Sequence, residues 1–307
     1  MPPAATEKGN GPPPTSRPLI ATSECQHQDF SRTSADNAAV TMDHETDEAV
    51  RKLLGGTIAD FALLPDNKRK ATFRRRLVQP TPVIIEEGDD DDYMNPKIAD
   101  GVRLRQEYFM GDDDVGRQLV KEATETYYGE NSFVVRCHWL GEFMADSLAD
   151  SITPVQIAPL VRGTITIHAD VRSHVGSANA DGGILEMCQW RRDRLEKLFD
   201  FVNASHIHFV LFGEGPLDGS DPRTQRLLKD IALVIKRLLA KFGERFDIIR
   251  KSSTTSPRFQ SLRPYWRAPT EAVRQRVAEG KATFEQTMQV RIEEWARDGV
   301  LSDEMEQ

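Results

Sequence analysis

Cysteine is scarce in this chain: Cys25, Cys137 and Cys188 are all it has in 307 residues, widely spaced and without a CxxC. That spacing offers neither a disulfide framework nor a zinc cage, and reduced thiols are the expectation. Long apolar runs are missing too. The longest aliphatic stretch, Ile231 to Ile235, falls far short of the roughly 20 residues that a bilayer span requires, so no membrane insertion is expected. The opening MPPAATEKGNGPPP lacks the apolar stretch of a signal peptide. An intracellular location, cytoplasmic or nuclear, follows as an expectation. Basic excess is lacking as well. Forty Lys and Arg against 48 Asp and Glu leave a net charge of -8, which argues against general nucleic-acid binding, because neutralising phosphates takes a basic surface. No nucleophile, metal cage or phosphate loop stands above chance matches, so no catalytic residue and no cofactor is assigned.

What the chain does have is enough apolar length to fold. A compact body of this size buries roughly three-quarters of its unfolded surface, and 39% hydrophobic with 29% charged residues is ordinary for a soluble protein with some disordered length. Residues 1 to 46 are rich in Pro, Ser, Thr, Gly and Asn without periodicity, and are expected to be a disordered tail. Residues 47 to 88 read as a helical segment followed by a short strand. Asp47 to Leu54 is a helix candidate closed by Gly55-Gly56. Asp66 to Val78 is a second helix, with Phe73 and Leu77 four apart on one face, stopped by Gln79-Pro80-Thr81-Pro82. Val83-Ile84-Ile85 is the strand.

Residues 89 to 268 form the body. Two acidic runs, Asp89 to Asp92 and Asp112 to Asp114, flank an alternating stretch, Val102 to Phe109, that reads as a strand. Val115, Leu119, Ala123 and Tyr127 then recur at helical spacing after aspartates suited to capping a helix start, with Gly129 expected to close the helix. Ser132 to Arg136 reads as a strand, Leu140 to Leu148 as a helix, Thr164 to Val171 as a strand and Leu185 to Val202 as a helix. His206 to Phe212 is a strand, Pro222 to Phe242 a strongly striped helix, and Phe246 to Ile249 a strand. Such alternation predicts an α/β fold, a sheet covered by helices, with α+β as the alternative. Residues 269 to 307 read as a charged helical extension, Thr270 to Asp298, weakened at Gly280.

Leu63-Leu64-Pro65 with Phe73 and Leu77, the strand Pro82-Val83-Ile84-Ile85, then Arg117-Gln118-Leu119, Glu122-Ala123 and Tyr127-Tyr128-Gly129-Glu130-Asn131-Ser132-Phe133 together form a pattern. It resembles a large group of uncharacterised fungal proteins with an F-box-like N-terminus. In that group a leucine-proline helical segment and a short strand precede a helix of the form R-x-I-x-x-E-A and a Y-x-x-N-x-F strand. The resemblance implies an intracellular protein-interaction module, with Leu63, Leu64, Pro65, Phe73 and Leu77 as its partner-binding residues, and it implies no enzymatic activity.

Several constellations carry a second reading. His168 and Asp170, two apart on one strand, and His206 or His208 on another, are the residue types of a two-histidine, one-carboxylate metal site. They would make the chain a metal- or nucleotide-dependent enzyme working on a polar sheet face. The plainer reading is alternation, since Ile165, Ile167, Ala169 and Val171 face the other way. Gly213-Glu214-Gly215-Pro216-Leu217-Asp218-Gly219 sits where α/β proteins hold phosphate. Its acids, and its proline without an N–H, make it read as a connecting turn. Lys68-Arg69-Lys70 and Arg74-Arg75-Arg76 suggest a nuclear-import signal or a patch for an anionic partner, against a solvated helix face opposite Phe73 and Leu77. Asp89, Asp91 and Asp100 fail as a calcium loop, because no glycine turn or closing glutamate accompanies them. Cys137 and His138, read on a strand, face opposite ways.

Overall fold

A six-stranded sheet in the order β1 to β6, strictly as the chain meets them, is the frame of the molecule. The computed structural model describes residues 51–85, 113–145, 156–171 and 191–305. Its strands are β1 (Val83–Ile85), β2 (Phe133–Arg136), β3 (Thr164–Asp170), β4 (His206–Phe212), β5 (Phe246–Lys251) and β6 (Phe259–Ser261). The first five are parallel, and β6 returns antiparallel along β5. Parallel neighbours need long crossovers, so helices lie between them. The helices are α1 (Ile58–Ala62), α2 (Asp66–Leu77), α3 (Asp114–Glu130), α4 (Leu140–Ala145), α5 (Pro222–Phe242), α6 (Glu271–Ala278) and α7 (Phe284–Met305). The fold is α/β.

Register assigns every side chain to a face. Val83, Phe133, Ile165, Ile207 and Phe246 form one row, and Ile85, Val135, Ile167, Phe209 and Ile248 the next. All ten are buried, as expected of the face on which helices pack. α5 supplies Leu227, Ile231, Val234, Leu238 and Phe242 to the same core. The opposite face carries Thr166, His208 and Asp247 in one row and His168, Val210 and Ile249 in another. There the burial alternates down to half-exposed along β3, the pattern iBiBiBi.

Capping chemistry sets the helix starts. The Asp113 carboxylate accepts the Gly116 N–H at 2.7 Å and Asp221 accepts that of Thr224 at 2.9 Å, satisfying donors that a first turn leaves orphaned. α3 does not stop at Gly129. It runs to Glu130, and Asn131 caps it in an extended conformation. The expected single C-terminal helix is two, because Gly280 takes a positive φ of 69° and turns the chain between α6 and α7. Of the expected helix Leu185 to Val202, residues 191–196 are α-helical and Lys197–Asp200 continues as a 3-10 turn. Cys137 and His138 lie on a 3-10 turn, Cys137–Trp139, after β2 rather than on a strand. The tail 1–46, the strand expected at Val102 to Phe109, the acidic run Asp89 to Asp92 and Cys188 lie outside the described residues. No described helix is long and apolar enough to cross a membrane.

Candidate functional site

The segment from Leu63 to Leu77 is built into the body from two directions. α2 lies along α3, and Phe73 and Leu77 are buried in the common core, with Phe73 edge-on to Phe61 at 5.2 Å between ring centres. β1, which follows α2, is the edge strand of the sheet, and the Val83 N–H donates to Ser132 O at 2.8 Å. Phe73 and Leu77, expected as partner-binding residues, are therefore supports of the corner. Leu63 is 85% exposed. Leu64 is half-buried, and Pro65 is exposed as the residue before α2.

One arginine fixes this corner. Arg69 Nη1 donates to Leu64 O at 2.6 Å, Nη2 to Asp66 Oδ1 at 2.6 Å, and Nε and Nη2 grip the Glu122 carboxylate at 2.9 and 2.7 Å. Glu122 is 6% exposed and sits on α3. A bidentate pair of this kind positions backbone as well as neutralising charge. Farther along α2, Arg74 makes the same fork with Glu130 at 2.5 and 2.6 Å. The six-cation run is thus divided: Arg69 and Arg74 are bound to α3 acids, and it is not uniformly a solvated face.

Asn131 closes the other end. Its amide nitrogen donates to Leu77 O at 3.0 Å and Tyr127 O at 2.9 Å, while its Oδ1 accepts the Gln79 N–H at 2.8 Å. A single side chain therefore joins the last turn of α2 to the last turn of α3. Around it Tyr127, Tyr128, Phe133 and Phe143 pack with ring centres 5.0 to 5.8 Å apart, in the tilted and edge-on geometries that aromatic quadrupoles favour. The Tyr-to-Phe motif is a joint between the N-terminal helices and the sheet.

Glu122 makes the joint sensitive to acid. The hydrogen bonds from Arg69 hold its carboxyl below the ordinary value of 4.5, against an opposing push from burial. A carboxylate whose folded pKa is depressed contributes stability that is complete above the unfolded value and lost as pH falls through the folded one. The urea midpoint is accordingly expected to hold from pH 7 to about 4.5 and then to drop more steeply in the wild type than in Glu122→Gln. At neutral pH, Glu122→Ala is expected to cost about 2 kcal/mol, the loss of charge-assisted hydrogen bonds from Arg69.

The polar sheet face spreads its candidate metal ligands along β3 and β4. His168 pairs in register with Val210 and Asp170 with Phe212, whereas His206 pairs with Thr164. His206 thus lies four residues along the strand from the His168 row, roughly 13 Å at about 3.3 Å per residue. Among the described residues no group of three or more His, Cys, Asp or Glu could hold a metal ion. His208 does stand beside His206, with rings 6.0 Å apart, and burial pushes its pKa below the ordinary 6.5. His168 packs near the Phe212 ring at 5.7 Å, and the Arg136 guanidinium lies 4.9 Å over that ring.

The glycine loop 213–219 is occupied by the protein itself. Arg250 shares the buried face with Ala169 and Leu211 and is 0% exposed. It donates to Gly213 O at 3.0 Å, to Glu214 O at 2.9 Å and to Lys251 O. These bonds fasten the start of the loop to β5, so Gly213 and Glu214 belong to a turn latched by a buried arginine. Cys137 is buried, and burial pushes its thiol up to about 11, far from a nucleophile's range.

Compared with protein-family models, with curated proteins and with solved structures, the chain matches none.

Proposed function

We propose that this chain is a non-enzymatic, intracellular protein-interaction module that recognises its partner through the F-box-like corner Leu63-Leu64-Pro65. The observation that carries the reading is Leu63, a large apolar side chain left 85% exposed on a backbone that Arg69 fastens from inside. Holding an exposed leucine in one geometry lowers the ordering cost of burying it in a partner. Phe73 and Leu77 contribute from beneath, by anchoring α2 to the core. The enzyme reading on His168, Asp170 and His206 gains no support from the register, which spreads these residues along the strands.

Leu63→Asp tests the proposal. The substitution touches no core residue, so thermal unfolding is expected to match the wild type. Partner affinity is expected to fall by roughly thirtyfold, the equivalent of about 2 kcal/mol for an unburied leucine. Retention of every wild-type partner by Leu63→Asp in quantitative affinity purification would refute it.

A further inference from the structure

We infer that the partner meets this corner with an acidic protein surface surrounding an apolar hollow. The inference rests on the proposed reading of Leu63 and adds the chemistry of what binds there. Its basis is the way the α2 cations are partitioned. Arg69 and Arg74 are satisfied by Glu122 and Glu130. Lys68, Lys70, Arg75 and Arg76 are exposed, and no ion pair joins them to another described residue. Acids outnumber bases 48 to 40 in the chain, so exposed cations without an acid partner among the described residues, on the helix that follows an exposed leucine, point to a surface complementary to carboxylates.

Geometry narrows the partner further. Lys68 and Arg75 are seven residues apart, two helical turns, which aligns them within about 20° and separates them by about 10.5 Å along the axis. Arg76 stands about 80° round from Lys68. An extended-peptide receptor, such as one reading a linear import signal, would have to unwind α2 and pull Phe73 and Leu77 out of the core. The cations are therefore read on the folded helix. A phosphate backbone would engage the cations but has no use for Leu63, which favours a protein surface over nucleic acid.

Fluorescence anisotropy of the full chain against four labelled probes tests this. The probes are an amphipathic helical peptide of Glu and Leu, an equally charged peptide without Leu, a short duplex DNA, and vesicles containing phosphatidylserine. The Glu/Leu peptide is expected to bind best, at least about tenfold tighter than its Leu-free counterpart, and to weaken between about 50 and 200 mM salt. Lys68→Glu/Arg75→Glu/Arg76→Glu is expected to weaken it by at least about tenfold and to remove the salt dependence. The milder Lys68→Gln/Arg75→Gln/Arg76→Gln variant is expected to act in the same direction should the reversal disturb folding. No binding of the Glu/Leu peptide, indifference to both triple variants, or tighter binding of DNA or vesicles overturns the inference. If Leu63→Asp strips cellular partners and charge reversal does not, the inference falls and the proposed function stands. If Leu63→Asp strips none, the proposed function itself falls.

Discussion

Arg250→Ala is expected to lower the unfolding free energy by about 4 kcal/mol, read as a shift in denaturant midpoint at constant slope. The guanidinium is 0% exposed and donates to the carbonyls of Gly213, Glu214 and Lys251. Asp221 Oδ2 stands 3.7 Å from its Nη2. Alanine leaves three carbonyls without that donor, each such loss costing roughly 1 to 3 kcal/mol when buried, and takes from Asp221 its nearby cation. Burial holds the Arg250 pKa below its ordinary value while Asp221 opposes that push, so part of the gain is offset by the desolvation of the charge itself. The loss falls short of the sum for that reason. Arg250→Lys is expected to recover less than half, because an ammonium cannot span the two sides of the loop as a planar fork does. A midpoint unchanged in Arg250→Ala would show that the loop does not depend on β5.

Asn131→Ala comes next, at about 3 kcal/mol. The amide is 1% exposed and makes three hydrogen bonds, to Leu77 O, to Tyr127 O and from the Gln79 N–H. Removing it orphans the Leu77 carbonyl and the Gln79 N–H and takes one of two donors from Tyr127 O, which keeps the residue-131 backbone N–H. Asn131→Asp keeps the acceptor for Gln79, loses both donations and buries a charge, so it is expected to cost at least as much. Loosening the end of α2 frees the corner that Arg69 holds at its start, and partner binding is expected to weaken along with stability. Equal stability of Asn131→Ala and wild type would remove the joint from the account.

Periodicity made the main elements legible. Pro222 to Phe242 lies where its stripe puts it, because a one-sided helix leaves a period of 3.6 in the chain. His206 to Phe212 is the expected strand, but only its first residues alternate, and Val210 and Phe212 are buried on the second face. β6 left no such mark. Phe259-Gln260-Ser261 is three residues with one exposed aromatic, and it is a strand because β5 offers a free edge beside it. The break in the C-terminal helix was visible as Gly280, but its severity depends on a positive φ that composition does not reveal. At the corner, Phe73 and Leu77 were legible as one face. Which way that face turns was not, since the answer lies in α3 and the sheet. Arg69 and Arg74 show the limit most plainly: a basic run looks solvated until Glu122 and Glu130, more than fifty residues away, are brought against it. His168, Asp170 and His206 had the right identities for a metal site, and the register sets His206 four residues along from the His168 row.

The proposed function puts recognition at Leu63 and not on the sheet face of His168 and Asp170. Quantitative affinity purification of the wild type beside Leu63→Asp and His168→Ala/Asp170→Ala, each first shown to unfold at the wild-type temperature, tests it most directly. Leu63→Asp is expected to lose the specific partners, and the sheet-face double variant to keep them. Loss in the double variant with retention in Leu63→Asp would contradict it.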